Sequence, residues 1–187
     1  MSYNILGINP GHNGSACLVS DGELKYYLEE ERLSRLKYDG NPFKSMIDIM
    51  SKYHVDELVI VGTYPDHPIL PWTMEDVYTG LVWKHYPNVK TTILGQEHHL
   101  THASCAFYNS GFKKAIAVIV DGAGTYKDIS MNEEGSVKAK GCETESVWAC
   151  EYPSKFTVLH KVFGDNTQNR MVNDKFDVGN SVTIVKA

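Results

Sequence analysis

The run His98-His99-Leu100-Thr101-His102 sets two imidazoles four residues apart. On a helix such residues project from one face, so the ring nitrogens of His98 and His102 can converge on one cation while His99 points elsewhere. Histidines at this spacing also occur as ordinary surface or half-buried residues, and spacing alone leaves both readings open. Asp121 weighs toward a metal, because it ends the apolar run Ala115 to Val120, an expected buried strand, where loops of open α/β sheets gather ligands. Two imidazoles, a carboxylate and open positions suit a divalent transition metal, with iron, manganese and zinc all compatible.

Glycines stand beside Asp121 and in a second turn near the start of the chain. Gly122 and Gly124 follow Asp121 closely, and the turn Gly11-His12-Asn13-Gly14-Ser15 follows another apolar run. Such turns let backbone N–H groups approach an anion, although glycine turns after strands are commonly structural. Taken as a pair, they resemble the phosphate clamp of actin-like and sugar-kinase-like ATP-binding folds. His12, between a glycine and an asparagine, is placed either to touch an anionic substrate or to be a solvated loop histidine. Glu29-Glu30-Glu31-Arg32, with Arg35 and Lys37, reads as a solvated helix face carrying i,i+3 and i,i+4 pairs.

The elements that must position these residues follow from the hydrophobic pattern. Tyr3 to Asn9, Ala16 to Val19 and Glu23 to Leu28 read as strands, the last two joined through Asp21-Gly22, a pair suited to a tight hairpin. Helical spacing is expected over Glu29 to Leu36 and Lys44 to Tyr53, then a strand buried on both faces over Glu57 to Gly62, an α/β signature. Pro65 to Pro71 breaks regular structure, Met74 to His85 resumes a helix, Val89 to Leu94 is strand-like, and Gln96 to Asn109 is a helix. Ala115 to Val120 is the clearest strand. Beyond Gly124 the pattern changes to short antiparallel candidates, Val147 to Cys150 and Thr157 to Val162, with Gly135 and Gly141 as breakers. The apolar run Ser181 to Ala187 has no terminating signal, as if the chain were cut within an element.

The 187 residues, 42% hydrophobic, are enough for a sizeable core. A formal charge of −5, from 18 basic and 23 acidic residues without a dense basic tract, argues against nucleic acid as a partner. A signal peptide and a membrane-spanning run are both absent from the pattern, so a cytoplasmic protein is expected. Cys17, Cys105, Cys142 and Cys150 lack CxxC spacing and imply neither disulfides nor a zinc knuckle.

Four strings in order, GHNGSACLVSDGEL, EEERLSRLKYDG, HHLTHASCAFYNSGF and VIVDGAG, resemble the N-terminal domain of the nodulation and antibiotic O-carbamoyltransferases, and ESVW at Glu145 to Trp148 extends the likeness. The resemblance implies an actin-like (ASKHA, ribonuclease H-like) first lobe over residues 1–125, a mixed sheet with flanking helices, followed by a β-rich extension over 126–187. It also implies that carbamoyl phosphate and ATP give a carbamoyl adenylate, whose carbamoyl group passes to a hydroxyl of a small-molecule acceptor. By match of motif, His98, His102 and Asp121 would ligate a metal, iron in that family, and His12 would touch the carbamoyl or phosphate portion. Asn13, Gly14, Ser15, Gly122 and Gly124 would face the nucleotide. Members of that family add a second actin-like half and an adenylate-forming domain, so this chain is expected to be inactive alone and to expose apolar surface that favours a homo-oligomer. Two other readings stand beside it. One is a threonylcarbamoyl-transferring tRNA-modification protein, which shares the HxxxH helix but not the strings at His12 and Glu29. The other is a non-catalytic metal- or nucleotide-binding module.

Overall fold

The structure, a computed structural model, describes residues 2–11, 13–61, 74–122, 124–130, 138–165, 171–172, 175–176 and 181–184. His12, the proline-rich stretch 65–71, Gly135 and residues 185–187 lie outside the described residues. Two compact units divide the chain, Met1–Gln96 and Glu97–Ala187. Each is a sheet with helical cover, so the protein is a mixed α/β fold. The division falls before the histidine helix because the strand ending at Val120 joins the later β ladder along its whole length.

The first unit contains β1 (Asn4–Asn9), β2 (Ser15–Ser20), β3 (Glu23–Glu29), α1 (Glu30–Ser34), α2 (Phe43–Met50), β4 (Glu57–Val61), α3 (Met74–His85) and β5 (Lys90–Leu94). The strands form one sheet in the order β3-β2-β1-β4-β5. The first three are antiparallel, and β4 and β5 run parallel to β1. The hairpin between β2 and β3 turns through Asp21 and Gly22 with φ of 50° and 83°, the two positive values that match a two-residue turn to strand twist. Leu6, Ile8, Leu18, Leu58 and Ile60 from the sheet bury against Met46 and Ile49 of α2 and Tyr78 and Val82 of α3.

Glu30 corrects the expectation of a wholly solvated acidic run. It is 2% exposed, and its carboxylate accepts hydrogen bonds from the Lys44 and Ser45 amides (3.0 and 2.8 Å) and the Ser45 hydroxyl (2.9 Å). Those amides belong to the first turn of α2, where no intrahelical acceptor exists and Pro42 at the cap position offers no side-chain oxygen. A carboxylate from another element thus caps α2.

The second unit begins with α4 (His98–Ser110), followed by β6 (Lys114–Val120), β7 (Tyr126–Ser130), β8 (Lys138–Glu151) and β9 (Lys155–Asp165). Short strands β10 (Met171–Val172), β11 (Lys175–Phe176) and β12 (Ser181–Ile184) complete it. The main sheet runs β12-β9-β8-β6, with β7 also on β8. Gly141, expected to break the chain, instead sits within β8 opposite Lys127 and Asp165, its amide environment fixed by ladders on both sides. The helix α4 packs Ala103 and Phe107 against Ala117 and Ile119 of β6 and Trp148 and Cys150 of β8. Among the described residues no helix is long and apolar enough to cross a membrane.

Candidate metal centre

Two simple periodicities bring the site together inside the second unit. Along β6, Ala117 and Ile119 face α4 while Ile116, Val118 and Val120 are exposed, so the period of two directs Asp121, the next residue of the inward set, toward the helix. On α4, His99, Ala103 and Phe107 form the buried i, i+4, i+8 row. His98 and His102 form the adjacent row and emerge at its border, half-exposed at 34% and 50% of the side chain. The helix terminates at Gly111 in the left-handed conformation, φ 74°.

His98 Nε2 lies 2.9 Å from Asp121 Oδ2 and 3.0 Å from His102 Nε2, and His102 Nε2 is 3.9 Å from the same carboxylate oxygen. One Nε2 atom can donate a proton or accept one, so His98 cannot make a full hydrogen bond to both neighbours. A cation satisfies all three atoms at once. Donors about 2.1 Å from a common ion, separated by angles from roughly 90° to roughly 135°, stand about 3.0 to 3.9 Å apart, the spacing found here. Among the described residues, His98, His102 and Asp121 are the group whose ligand atoms lie together in this way. The cluster is consistent with a metal-binding site, and its borderline nitrogen and hard oxygen donors fit a divalent transition ion.

The electrostatics favour ligation at neutral pH. Burial lowers the His102 pKa, and the neighbouring His98 lowers it further, which outweighs Asp121 and keeps the ring neutral with a free lone pair. Burial pushes Asp121 up, but the Gly122 N–H bond to Oδ1 (2.7 Å) together with His98 and His102 outweighs it, so the carboxyl titrates below the usual range. Oδ1 is thereby fixed by the backbone while Oδ2 faces the histidines.

Of the other expected site residues, Asn13, Gly14 and Ser15 belong to the first unit and Gly122 and Gly124 to the second. Asn13 adopts φ 63° in the first unit's turn, and Ser15 is buried at the start of β2. The Gly14 N–H donates to Asp39 O (2.8 Å), and a Cβ on Gly14 would stand 2.8 Å from the Gly40 carbonyl carbon, so this glycine permits two loops to touch. Similarly, the Gly124 N–H donates to Glu143 O at 2.7 Å, and a Cβ there would meet the His99 ring at 2.8 Å.

His99 is the residue that helical spacing alone set aside. It is fully buried, its Nδ1 2.8 Å from Ser146 Oγ, and that oxygen accepts from Trp148 Nε1 at 2.8 Å. The signal was present in two places: His99 heads the apolar row of Ala103 and Phe107, and Ser146 and Trp148 belong to the ESVW string.

No family model matches the chain. It is similar to nodulation protein NolNO of Sinorhizobium fredii, 28% identical over 138 residues that cover 62% of this chain and 20% of that protein. An uncharacterised protein of Synechocystis sp. is 26% identical over 196 aligned residues, 86% of this chain and 31% of its own length. Another, of Methanocaldococcus jannaschii, is 30% identical over 131 residues, 64% of this chain and 22% of its own. The chain therefore matches between about a fifth and a third of the length of these relatives, a distant and partial relationship.

Proposed function

We propose that the chain is a metal-binding module that holds one divalent transition ion with His98 Nε2, His102 Nε2 and Asp121 Oδ2. The observation that carries this reading is the convergence of three ligand atoms that the hydrogen bonds among them cannot all satisfy. The partly exposed edge formed by His98 and His102 leaves coordination positions open to an oxygen ligand. A bound ion there would act as a Lewis acid, polarising a carbonyl or phosphoryl oxygen.

The finer proposal is that the module serves an O-carbamoyltransferase, using carbamoyl phosphate and ATP to carbamoylate a hydroxyl of a small molecule. The string resemblance supports it, as does the similarity to a nodulation protein, and residues 1–125 would then be the first actin-like lobe. In that assignment His12 touches the carbamoyl or phosphate portion, with Asn13, Gly14, Ser15, Gly122 and Gly124 toward the nucleotide. The amides of Gly14, Gly122 and Gly124 already have acceptors in the chain, so any nucleotide contact at these positions would come from neighbouring groups. Iron is the ion that the resemblance favours.

Two assays separate the levels. Metal analysis of the chain after exposure to Fe²⁺, Mn²⁺ or Zn²⁺ should find one equivalent in the wild type and none in His98→Ala or His102→Ala; equal content in all three would refute the module. Carbamoyl transfer dependent on ATP and carbamoyl phosphate, measured on any active protein that contains this chain, should vanish with the same variants. Turnover that survives metal loss would remove the enzymatic reading.

A further inference from the structure

The polar row beneath the metal helix has a hydrogen-bond pattern that assigns protons. The Trp148 indole can only donate, so its 2.8 Å contact makes Ser146 Oγ an acceptor. Ser146 is fully buried, and its hydroxyl proton has one remaining side-chain neighbour among the described residues, His99 Nδ1 at 2.8 Å. If Nδ1 carried a proton, the Ser146 hydroxyl hydrogen would be buried without an acceptor. With the proton on Nδ1, both that hydroxyl hydrogen and the Nε2 lone pair lack partners, whereas Ser146 donating to Nδ1 leaves only the Nε2–H unmet; the second arrangement satisfies more groups and puts the ring proton of His99 on Nε2.

That Nε2 is buried and has no hydrogen-bond partner among the described residues. An unpaired donor in such a place costs about 1–3 kcal/mol, so it persists only where something else requires it. Asp121 Oδ2, the atom that faces His98 and His102, lies 4.0 Å away, and the buried Glu143 carboxylate also acts on the ring but is tied to Lys161. Gly124 closes over the same ring edge, since a Cβ there would come within 2.9 Å of Nε2. The Gly124 backbone thus packs against the ring edge that carries Nε2.

We propose that His99 is the positioning residue of the metal centre: its Nε2–H, held on that nitrogen by Ser146 and Trp148, donates to Asp121 Oδ2 when the carboxylate ligates the ion. The proposal rests on the metal reading above. A good N–H···O bond spans about 2.9 Å, so closing it takes a shift of about 1 Å, within reach of a carboxylate whose other oxygen is pinned by Gly122. With Gly122 on Oδ1 and His99 on Oδ2, the ligating carboxylate would be oriented from both oxygens. Outer hydrogen bonds of this kind commonly change metal affinity by about 10- to 100-fold.

Imidazole ¹H–¹⁵N spectra of the metal-free chain should show His99 as the Nε2–H tautomer, and Zn²⁺ alone should move that proton downfield. The Nδ1–H tautomer would overturn the proposal whether or not metal binds. Zn²⁺ affinity should fall by about 10- to 100-fold in His99→Phe and also in Ser146→Ala, which retains the ring, and Ser146→Thr should restore it. Gly124→Ala should weaken Zn²⁺ as well, by pushing the ring off its seat. Wild-type Zn²⁺ affinity in folded Ser146→Ala and Gly124→Ala would overturn the role of His99 and leave the three ligands intact. A wild-type chain that takes up no Zn²⁺ would overturn both, and the tautomer would then report packing only.

Discussion

Two glycine-bearing turns that look alike as strings do opposite things with their polar groups. In the first unit, the Gly11 to Ser15 turn meets the loop at Asp39 and Gly40: the Gly11 and Gly14 amides donate to Gly40 O and Asp39 O, and Gly14 O accepts from the Glu30 amide. Glu30 then uses its carboxylate to cap α2. These named donors and acceptors are matched by others in the chain. In the second unit, the Asp121 to Thr125 turn meets α4, and matching fails at defined atoms: His98 Nε2 has two neighbours for one proton, and among the described residues His99 Nε2 has no hydrogen-bond partner. A glycine turn after a strand therefore reports close backbone packing, and it is the unmet bonding capacity beside it that marks a site.

The comparison is sharpened most by removing the cap. Glu30→Ala leaves two first-turn amides of α2 without an acceptor, and unfolding stability should drop by about 2–4 kcal/mol in denaturant titration with metal uptake unchanged. A loss below about 1 kcal/mol would mean that water replaces the carboxylate and that Glu30 is no structural keystone. Next is Gly14→Ala, where the added carbon meets backbone rather than a flexible side chain. It should cost about 1–3 kcal/mol, the range for overpacked sites, and metal affinity in the second unit should again not move.

Much of this contrast was readable beforehand because local patterns dominate it. The period of two in β6, the i, i+4 spacing of His98 and His102, and the Asp-Gly hairpin each depend on residues close in the chain, and all three stand in the structure. Glu30 was not readable as a cap, since its charged neighbours Glu29 and Glu31 disguise it and its partners lie 14 and 15 residues on. The burial of His99 depends on β8, 47 residues away, whose Ser146 makes a polar atom tolerable in the core. Gly141 misled for a related reason: a lone glycine weakens a strand locally, but ladders on both sides hold it. His12 lies outside the described residues, so its part in the comparison is open to the transfer assay alone.

Acid should separate the units more gently. Burial depresses His99, opposed in part by Glu143 and Asp121, and burial with His98 depresses His102. The unfolded rings protonate near pH 6.5, so the unfolded state binds more protons below that value, and the stability contributed by the neutral rings is complete above about 6.5 and fades as pH falls. Asp121 is also depressed, but its contribution fades only below the ordinary carboxylate range. The metal-free chain should thus lose stability from pH 7 to pH 5, and the loss should shrink in His99→Phe. A rise in stability over that interval would contradict the burial of neutral imidazoles. The smallest effect expected is on the metal-free fold of His98→Ala and His102→Ala: both rings are partly exposed, so stability should stay within about 0.5 kcal/mol of wild type.

The central claim is that His98, His102 and Asp121 together hold one ion, and Co²⁺ titration followed by visible absorption tests it most directly, because the bands report ligand number and type. The account predicts saturation at one Co²⁺ per chain with nitrogen and oxygen ligands, and loss of that spectrum in each of His98→Ala, His102→Ala and Asp121→Ala while the variants remain folded. An unchanged spectrum in any one of the three, or no Co²⁺ spectrum in the wild type beyond that of the aqueous ion, would contradict it.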